Sequence, residues 1–416
     1  MTETVINLES FVDDGPEDIV VDLPYLPLVE DALATMNVPV REGSKQVDRT
    51  LDLGLITIED VKTSADLLVA NGKTAPGRFP LRGAPTSNLD VVLIALRQHF
   101  RNSTDGWCPE IGKNRTMHGV HGAPHIGGSG YPAATNNSPV LAKGTGDKVR
   151  VGLIDTKLYP SEQFTGRVIT LGDSLFARDF PFTQLSGHAT FTTGLILEAA
   201  PGAVVIAKGV LHDRFATASV WDVATAMAQF VDQNVSVLVL PLVCFTDDGE
   251  APLALQRAVN VLRNKVVVVA AAGNHGDAKP ENGRDVNRLP AFPAACDGAI
   301  AVGAVGNAGD GFVRAEFSPD VLWVQVVAPG DEVTSLFVEG HVTYKKAGDL
   351  PLPTDPGEFH GGATWSGTSF AAATFGGLIA NAVAEGQGTA FEVADRMLAD
   401  KPHEHAGVGA YGLLER

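Results

Sequence analysis

TWSGTSFAAATFGGLIA, residues Thr364–Ala380, is the stretch from which the fold of the whole chain can be read. Gly367 and Thr368 make a tight entry, and Ser369 places a hydroxyl at the start of a helix. Ala371, Ala372, Ala373, Gly376 and Gly377 then leave almost no side-chain bulk on its first turns. A helix lined in this way can sit deep against a sheet. Its first N–H groups lack intrahelical partners and carry the positive end of the dipole, so negative charge developing near Ser369 would be stabilised there. The same residues also suit a plainer role, in which Ser369 only N-caps a buried helix.

Two stretches upstream bear on that choice. KVRVGLIDT, from Lys148, is a mostly apolar run ending on Asp155, the pattern of a buried parallel strand with a carboxylate at its C-terminal tip. Such tips are where open α/β sheets build their sites. SGHATFTTGLI then puts His188 after a glycine and at the head of a small-residue helix that ends near Ala199 and Pro201. Each alone is a weak signal, since a strand-end Asp commonly caps the next helix and a lone His is commonly packed or exposed. In the chain order Asp, His, Ser they match one of the known orders of the serine triad.

With these motifs the chain resembles the subtilases, the subtilisin-like serine proteases of the S8 type. The matching residues are Asp155 in IDT, His188 in GHAT, Asn274 in VVVVAAAGNHG and Ser369 in SGTSFAA. APGAVVIAKGVL, FPAACDGAIAVGAV and VVAPGDEV between them match as well, so the likeness covers about residues 147–400. The resemblance implies an α/β fold, a three-layer sandwich with a mostly parallel central sheet, here preceded by a smaller N-terminal region. It also implies that Ser369 attacks the peptide carbonyl, His188 moves its proton, and Asp155 holds the imidazole in the right tautomer. Asn274 would donate to the oxyanion. The substrate backbone is expected along Leu240, Pro241, Leu242 and Val243, with Ala272 and Gly273 also counted to the substrate site.

The chain departs from the family pattern in places. Lys157 follows Asp155 and Thr156 where a glycine is usual, and it is a solvated charge or one near enough to perturb the triad. Ala189 replaces the glycine after His188, and Ala373 and Thr374 stand for a proline and a histidine. The largest departure is VLVLPLVCF, residues 237–245, in place of a Ser-Leu-Gly edge strand. Proline donates no ladder hydrogen bond, and Val243 adds bulk where glycine would admit a peptide. The cleft is therefore expected to be narrowed, re-aimed or occupied by the protein's own segment.

Across its 416 residues, 44% hydrophobic content with 45 Gly and 25 Pro suits a loop-rich globular α/β enzyme and excludes a disordered chain. A net charge of −18 opposes binding to nucleic acid or anionic membranes. No secretory signal or membrane-spanning run is read, and Cys108, Cys244 and Cys296 are scattered, which together point to the cytoplasm. The first twenty residues are acidic and expected to be mobile. Residues 1–110 carry helix patterns over Leu28–Met36, Ile58–Ala70 and a third capped by Ser87, and form either a propeptide that blocks the cleft or a permanent accessory domain. Residues 111–146 read as a Gly/Pro/His-rich linker that wraps the core or is a processing site. The glycines and prolines between His118, His121 and His125 argue against a preformed metal site. No metal or cofactor is expected. From residue 147 to 416 strands alternate with helices: strands at Ala203–Ala207, Val235–Leu240 and Val266–Ala270, helices at Ser219–Asp232 and Pro252–Arg263.

The motifs point first to a serine endopeptidase acting on peptide or protein substrates, with its own N-terminal region as a second occupant of the cleft and self-processing as a consequence. A catalytically silent, peptide-binding relative is the alternative, favoured by Lys157 and the altered edge strand. A serine-carboxyl peptidase shares Gly-Thr-Ser but uses acids where this chain has His188 and Asn274.

Overall fold

The structure is a computed structural model that describes residues 17–72, 87–119, 130–136, 138–144, 149–177, 181–212, 216–246, 248–278, 285–309, 311–344, 352–354, 357–399 and 412–413. In chain order the N-terminal part runs β1 (Asp18–Asp22), α1 (Leu26–Thr35), β2 (Gln46–Asp48), β3 (Leu53–Thr57), α2 (Val61–Ala70), α3 (Asn88–Ser103), β4 (Ile111–Lys113) and β5 (Thr116–Gly119). The middle runs β6 (Ala133–Ala134), β7 (Val149–Asp155), β8 (Val168–Thr170), β9 (Phe182–Thr183), α4 (His188–Ala199), β10 (Ala203–Gly209), β11 (Thr217–Ser219), α5 (Val220–Gln229), β12 (Val237–Leu240), β13 (Leu242–Val243), α6 (Leu253–Leu262) and β14 (Val267–Ala271). The last part runs β15 (Ala299–Ala308), β16 (Gly311–Arg314), β17 (Val326–Pro329), β18 (Val333–Thr343), β19 (Glu358–Trp365), α7 (Thr368–Ala384), α8 (Ala390–Ala399) and β20 (Gly412–Leu413).

A nine-stranded sheet in the order β20-β17-β15-β14-β12-β7-β10-β8 forms the middle layer, all parallel except β16, which pairs antiparallel with β15. Its central strands β12 and β14 are apolar throughout because both faces are covered. Val151, Leu153, Val237, Val239, Val267 and Val269 join one core with Phe191 and Ile196 of α4 and Phe375 and Ile379 of α7. The alternate residues Ile154, Leu238, Leu240, Val268 and Ala270 join a second core with Val223 and Met227 of α5 and Leu255 and Val259 of α6. This is the three-layer α/β sandwich that the family resemblance implied.

The small residues of α7 are explained by how close it lies to its neighbours. A Cβ on Gly376 would stand 2.6 Å from Val239 Cγ2, and one on Gly377 would stand 2.7 Å from Ala199 Cβ and 2.9 Å from the Ile196 carbonyl oxygen. The helix start is capped by Gly367, with no side-chain cap bond, so the capping role considered for Ser369 is not the one it has.

The N-terminal region is itself a folded α+β layer. β2-β3-β1-β4 make a four-stranded antiparallel sheet. Ile19, Val21 and Ile56 face α1 to α3. Val20, Leu53 and Leu55 on the other face merge with the core beneath α5 and α6. Two expectations are corrected here. The stretch expected to be mobile already contains β1 from Asp18, because Ile19, Val20 and Val21 are buried on both sides. The linker expected from residue 111 begins as strands, β4 on β1 and β5 between β11 and β13, because other sheets supply edges that its composition cannot announce. Beyond residue 130 the segment is bonded to the larger unit, with Gln163 Nε2 donating to the Pro139 carbonyl and Arg167 Nη1 to that of Ala142. His121, His125 and residues 1–16 lie outside the described residues.

Candidate active site

Asp155 ends β7, Asn274 follows β14, and His188 and Ser369 open α4 and α7. Asp155 and His188 are each 1% exposed. His188 Nδ1 lies 2.7 Å from Asp155 Oδ1 and 2.9 Å from Oδ2, and the Thr156 backbone N–H donates to Oδ1 at 2.6 Å. Thr156 in turn accepts from the Ala189 N–H, tying the strand tip to the first turn of α4. The imidazole also lies against Trp365, edge-on at 5.7 Å, and Phe370, tilted at 5.5 Å, residues that bracket Ser369 in sequence. The Ser369 hydroxyl donates to the Pro241 carbonyl oxygen at 3.2 Å.

Asn274 is held by the residue just before the serine. The Thr368 N–H donates to Asn274 Oδ1 at 2.9 Å and the Thr368 hydroxyl donates to the same oxygen at 3.0 Å, while that hydroxyl accepts from the Gly273 N–H at 3.0 Å. Because a backbone N–H can only donate, the atom facing it is the carboxamide oxygen. Nδ2 is thereby turned toward the α7 entry, 3.4 Å from where a Cβ on Gly367 would be. Gly273 needs its left-handed backbone, φ +93°, and a side chain there would strike His275 Nδ1 at 2.7 Å. His275 is fully buried, its Nε2 2.9 Å from the Leu289 carbonyl oxygen, and burial lowers its pKa to about 4.

Lys157 does not reach the triad: its ammonium pairs with the exposed Asp173 carboxylate at 2.7 Å. Of the two readings of Lys157, this pairing suits the solvated charge, and the side chain passes Gly209.

Leu240 is the last residue of β12, fully buried, and Pro241 is its bridge to β13. Leu242 pairs with Gly119 and Val243 with His118, antiparallel, and β5 pairs on its other edge with β11, Thr217 to His118 and Ala218 to Met117. β13 thus carries β5 on one edge. β5 runs toward Ser369, because Gly119 faces Leu242 and Ser369 bonds the carbonyl of the residue before it. Ala272 is fully buried beside Val321 and Val324. Among the described residues no group of three or more His, Cys, Asp or Glu side chains is placed to hold a metal ion, and no helix is long and apolar enough to cross a membrane.

Sequence reading missed the orienting role of Thr368, although the residue lay inside the motif, and it missed the seat of Thr116–Gly119, which is too short to show a period.

The sequence profile of the Subtilase family matches residues 146–397. A thermophilic serine proteinase from Bacillus sp. (strain AK1) is 31% identical over 216 residues, 49% of this chain and 49% of that protein. Mycosin-4 of Mycobacterium tuberculosis (strain ATCC 25618 / H37Rv) is 30% identical over 273 residues, 58% of this chain and 56% of that protein. The chain spans about half the length of these curated relatives. Among solved structures, fervidolysin from Fervidobacterium pennivorans, a keratinolytic enzyme related to subtilisin, is similar with a TM-score of 0.60 at 15% identity, covering 100% of this chain and 63% of that one, a likeness of fold.

Proposed function

The chain belongs to the subtilase family, and from that premise we propose that it is a serine endopeptidase whose own strand β5 fills the substrate groove. Ser369 is the nucleophile. Its hydroxyl turns from the Pro241 carbonyl to His188 Nε2, which takes the proton as the oxygen attacks the peptide carbonyl and delivers it to the leaving amine. Asp155 fixes the tautomer with Nδ1–H facing the carboxylate and stabilises the imidazolium. Asn274 Nδ2 and the N–H groups at the start of α7 receive the oxyanion. The observation that carries this reading is the buried His188–Asp155 contact at 2.7 Å beside an Asn274 carboxamide whose oxygen is already engaged.

Leu240, Pro241, Leu242 and Val243 form one wall of the substrate groove, and Ala272 and Gly273 support the oxyanion side. The N-terminal unit is a propeptide-like inhibitor joined through β4 and β5, and self-processing falls just past Gly119. The free thiols of Cys108, Cys244 and Cys296 favour a reducing compartment, and we infer a cytoplasmic location.

Intact-mass analysis of the full chain and of Ser369→Ala, each with and without a fluorophosphonate, tests the reading. An adduct only where Ser369 is present is expected, together with a cut beyond Gly119 that is absent from Ser369→Ala. Met117→Asp, which puts a charge at a fully buried position of β5, should speed labelling by loosening the strand. No adduct on any folded chain, Met117→Asp included, would leave a peptide-holding protein without chemistry.

A further inference from the structure

Strand β5 is a peptide backbone held in an extended form beside the nucleophile, and its burial alternates. Met117 and Gly119 are buried while Thr116 and His118 are partly exposed. One face is therefore read by the groove and the other is not. Met117 is fully buried, in the cluster that contains Leu240, Leu242, Ala218 and Trp221. Gly119 meets a different wall. Its N–H donates to the Ala216 carbonyl at 2.7 Å, and a Cβ at its position would stand 3.0 Å from Ala216 Cβ and 3.8 Å from Leu211 Cδ1.

That wall is fixed. Ala216 is buried and held in a left-handed backbone, φ +47°, with its N–H donating to the His212 carbonyl at 2.7 Å. Leu211 donates its N–H to the Asp155 carbonyl, so the loop is tied to the strand tip that carries the triad acid. A side chain at the Gly119 position must displace the buried Ala216 methyl. Left-handed backbone favours glycine, so replacing Ala216 by glycine should remove the methyl without harm to the fold.

We propose that the groove between β11 and β13 selects peptides with glycine at the residue seated against Ala216 and a large apolar side chain two residues before it, and that hydrolysis follows beyond that glycine. The inference rests on Ser369 being a hydrolytic nucleophile and on β5 standing where substrate stands.

The full chain is assayed with fluorogenic peptides carrying Met-Xaa-Gly or Met-Xaa-Ala before the cut, and with Asp in place of Met. Occlusion by β5 lowers every rate by the same factor, so the ratio of kcat/KM is readable without removing it. The glycine peptide should be preferred by roughly tenfold or more, as expected for one methyl in a rigid pocket. Ala216→Gly should bring the ratio to near one, and the Asp peptide should not be cut. A ratio near one in the unaltered chain, or a ratio that Ala216→Gly leaves unchanged, overturns the selection while hydrolysis stands. A second arm uses Ser369→Ala chains and hydrogen exchange of the 116–119 amides: Gly119→Ala should speed exchange and Ala216→Gly should restore it. Unchanged exchange overturns the proposal. If neither peptide is cut and no fluorophosphonate adduct forms, the hydrolytic reading has failed, and the exchange arm alone then decides glycine selection as a binding preference.

Discussion

The Thr368 hydroxyl sits between the Gly273 N–H and the Asn274 carboxamide oxygen, both at 3.0 Å. It holds the donor that would meet the oxyanion without itself facing substrate, so its removal should act on the transition state alone. Thr368→Val is expected to lower kcat by roughly tenfold to a hundredfold with KM little changed, less than the loss of a direct oxyanion donor. Thr368→Ser should recover most of it, and a rise in KM of the same size would show a binding defect instead. At the next residue along, His275 has its pKa lowered from 6.5 to about 4 by burial. The unfolded chain takes up this proton first, so stability is intact above pH 6.5 and lost as pH falls toward 4, by about 3 kcal/mol for this one group. Urea titrations at pH 7.5 and 4.5 should show a smaller loss between the two in His275→Gln than in the unaltered chain. Equal losses would mean that burial of this imidazole does not govern the acid response.

At the scale of the element, α7 gives up ordinary helix composition for closeness. Gly377→Ala gains about 1 kcal/mol of helix propensity but drives a methyl onto Ala199 and the Ile196 carbonyl, and overpacking of this kind costs about 1 to 3 kcal/mol. The variant should melt lower, and Ala199→Gly in the same chain should recover part of the loss. The small residues of TWSGTSFAAATFGGLIA were legible as a deeply buried helix, and the serine at its head as a candidate nucleophile. The caps at Ser87 and Ser219 were equally legible, since their hydroxyls accept the N–H groups of Asp90 and Asp222 three residues on. The pairing of β5 was not, because His118 finds its partners at Thr217 and Val243, far away in the chain.

Across the whole molecule, the N-terminal layer is joined to the larger unit by polar bonds as well as by apolar packing. Asn114 is the hinge of that seam: its Nδ2 donates to Asp18 Oδ2 at 3.0 Å, and its Oδ1 accepts the Trp221 N–H at the start of α5 at 2.9 Å. Arg257 of α6 reaches Asp22 at 2.5 Å and Glu110 at 3.0 Å. A cavity of about 390 Å³ lined by Asp90, Arg97, Lys113, Arg115 and Asp248 lies along the same junction. Asn114→Ala, which leaves a buried helix N–H unpaired at a cost of about 1 to 3 kcal/mol, should loosen β4 and β5. Faster hydrogen exchange over 111–119 and faster peptide hydrolysis by the full chain are expected. Exchange confined to α5 would show that the seam does not control the groove.

The sequence by itself determined the central sheet and marked the candidate site residues along it. Strands buried on both faces must be apolar throughout, helices that cross a sheet closely must be small, and a triad needs particular functional groups; all three are written in local composition and order. Tertiary structure alone decided that DIVVD and LGLIT are strands of a second sheet, that Lys157 turns outward to Asp173, and that Thr116–Gly119 pairs between β11 and β13. Each of these outcomes depends on which hydrogen-bonding edge or charged partner is nearby in space, and for a segment of four or five residues that partner comes from a distant part of the chain.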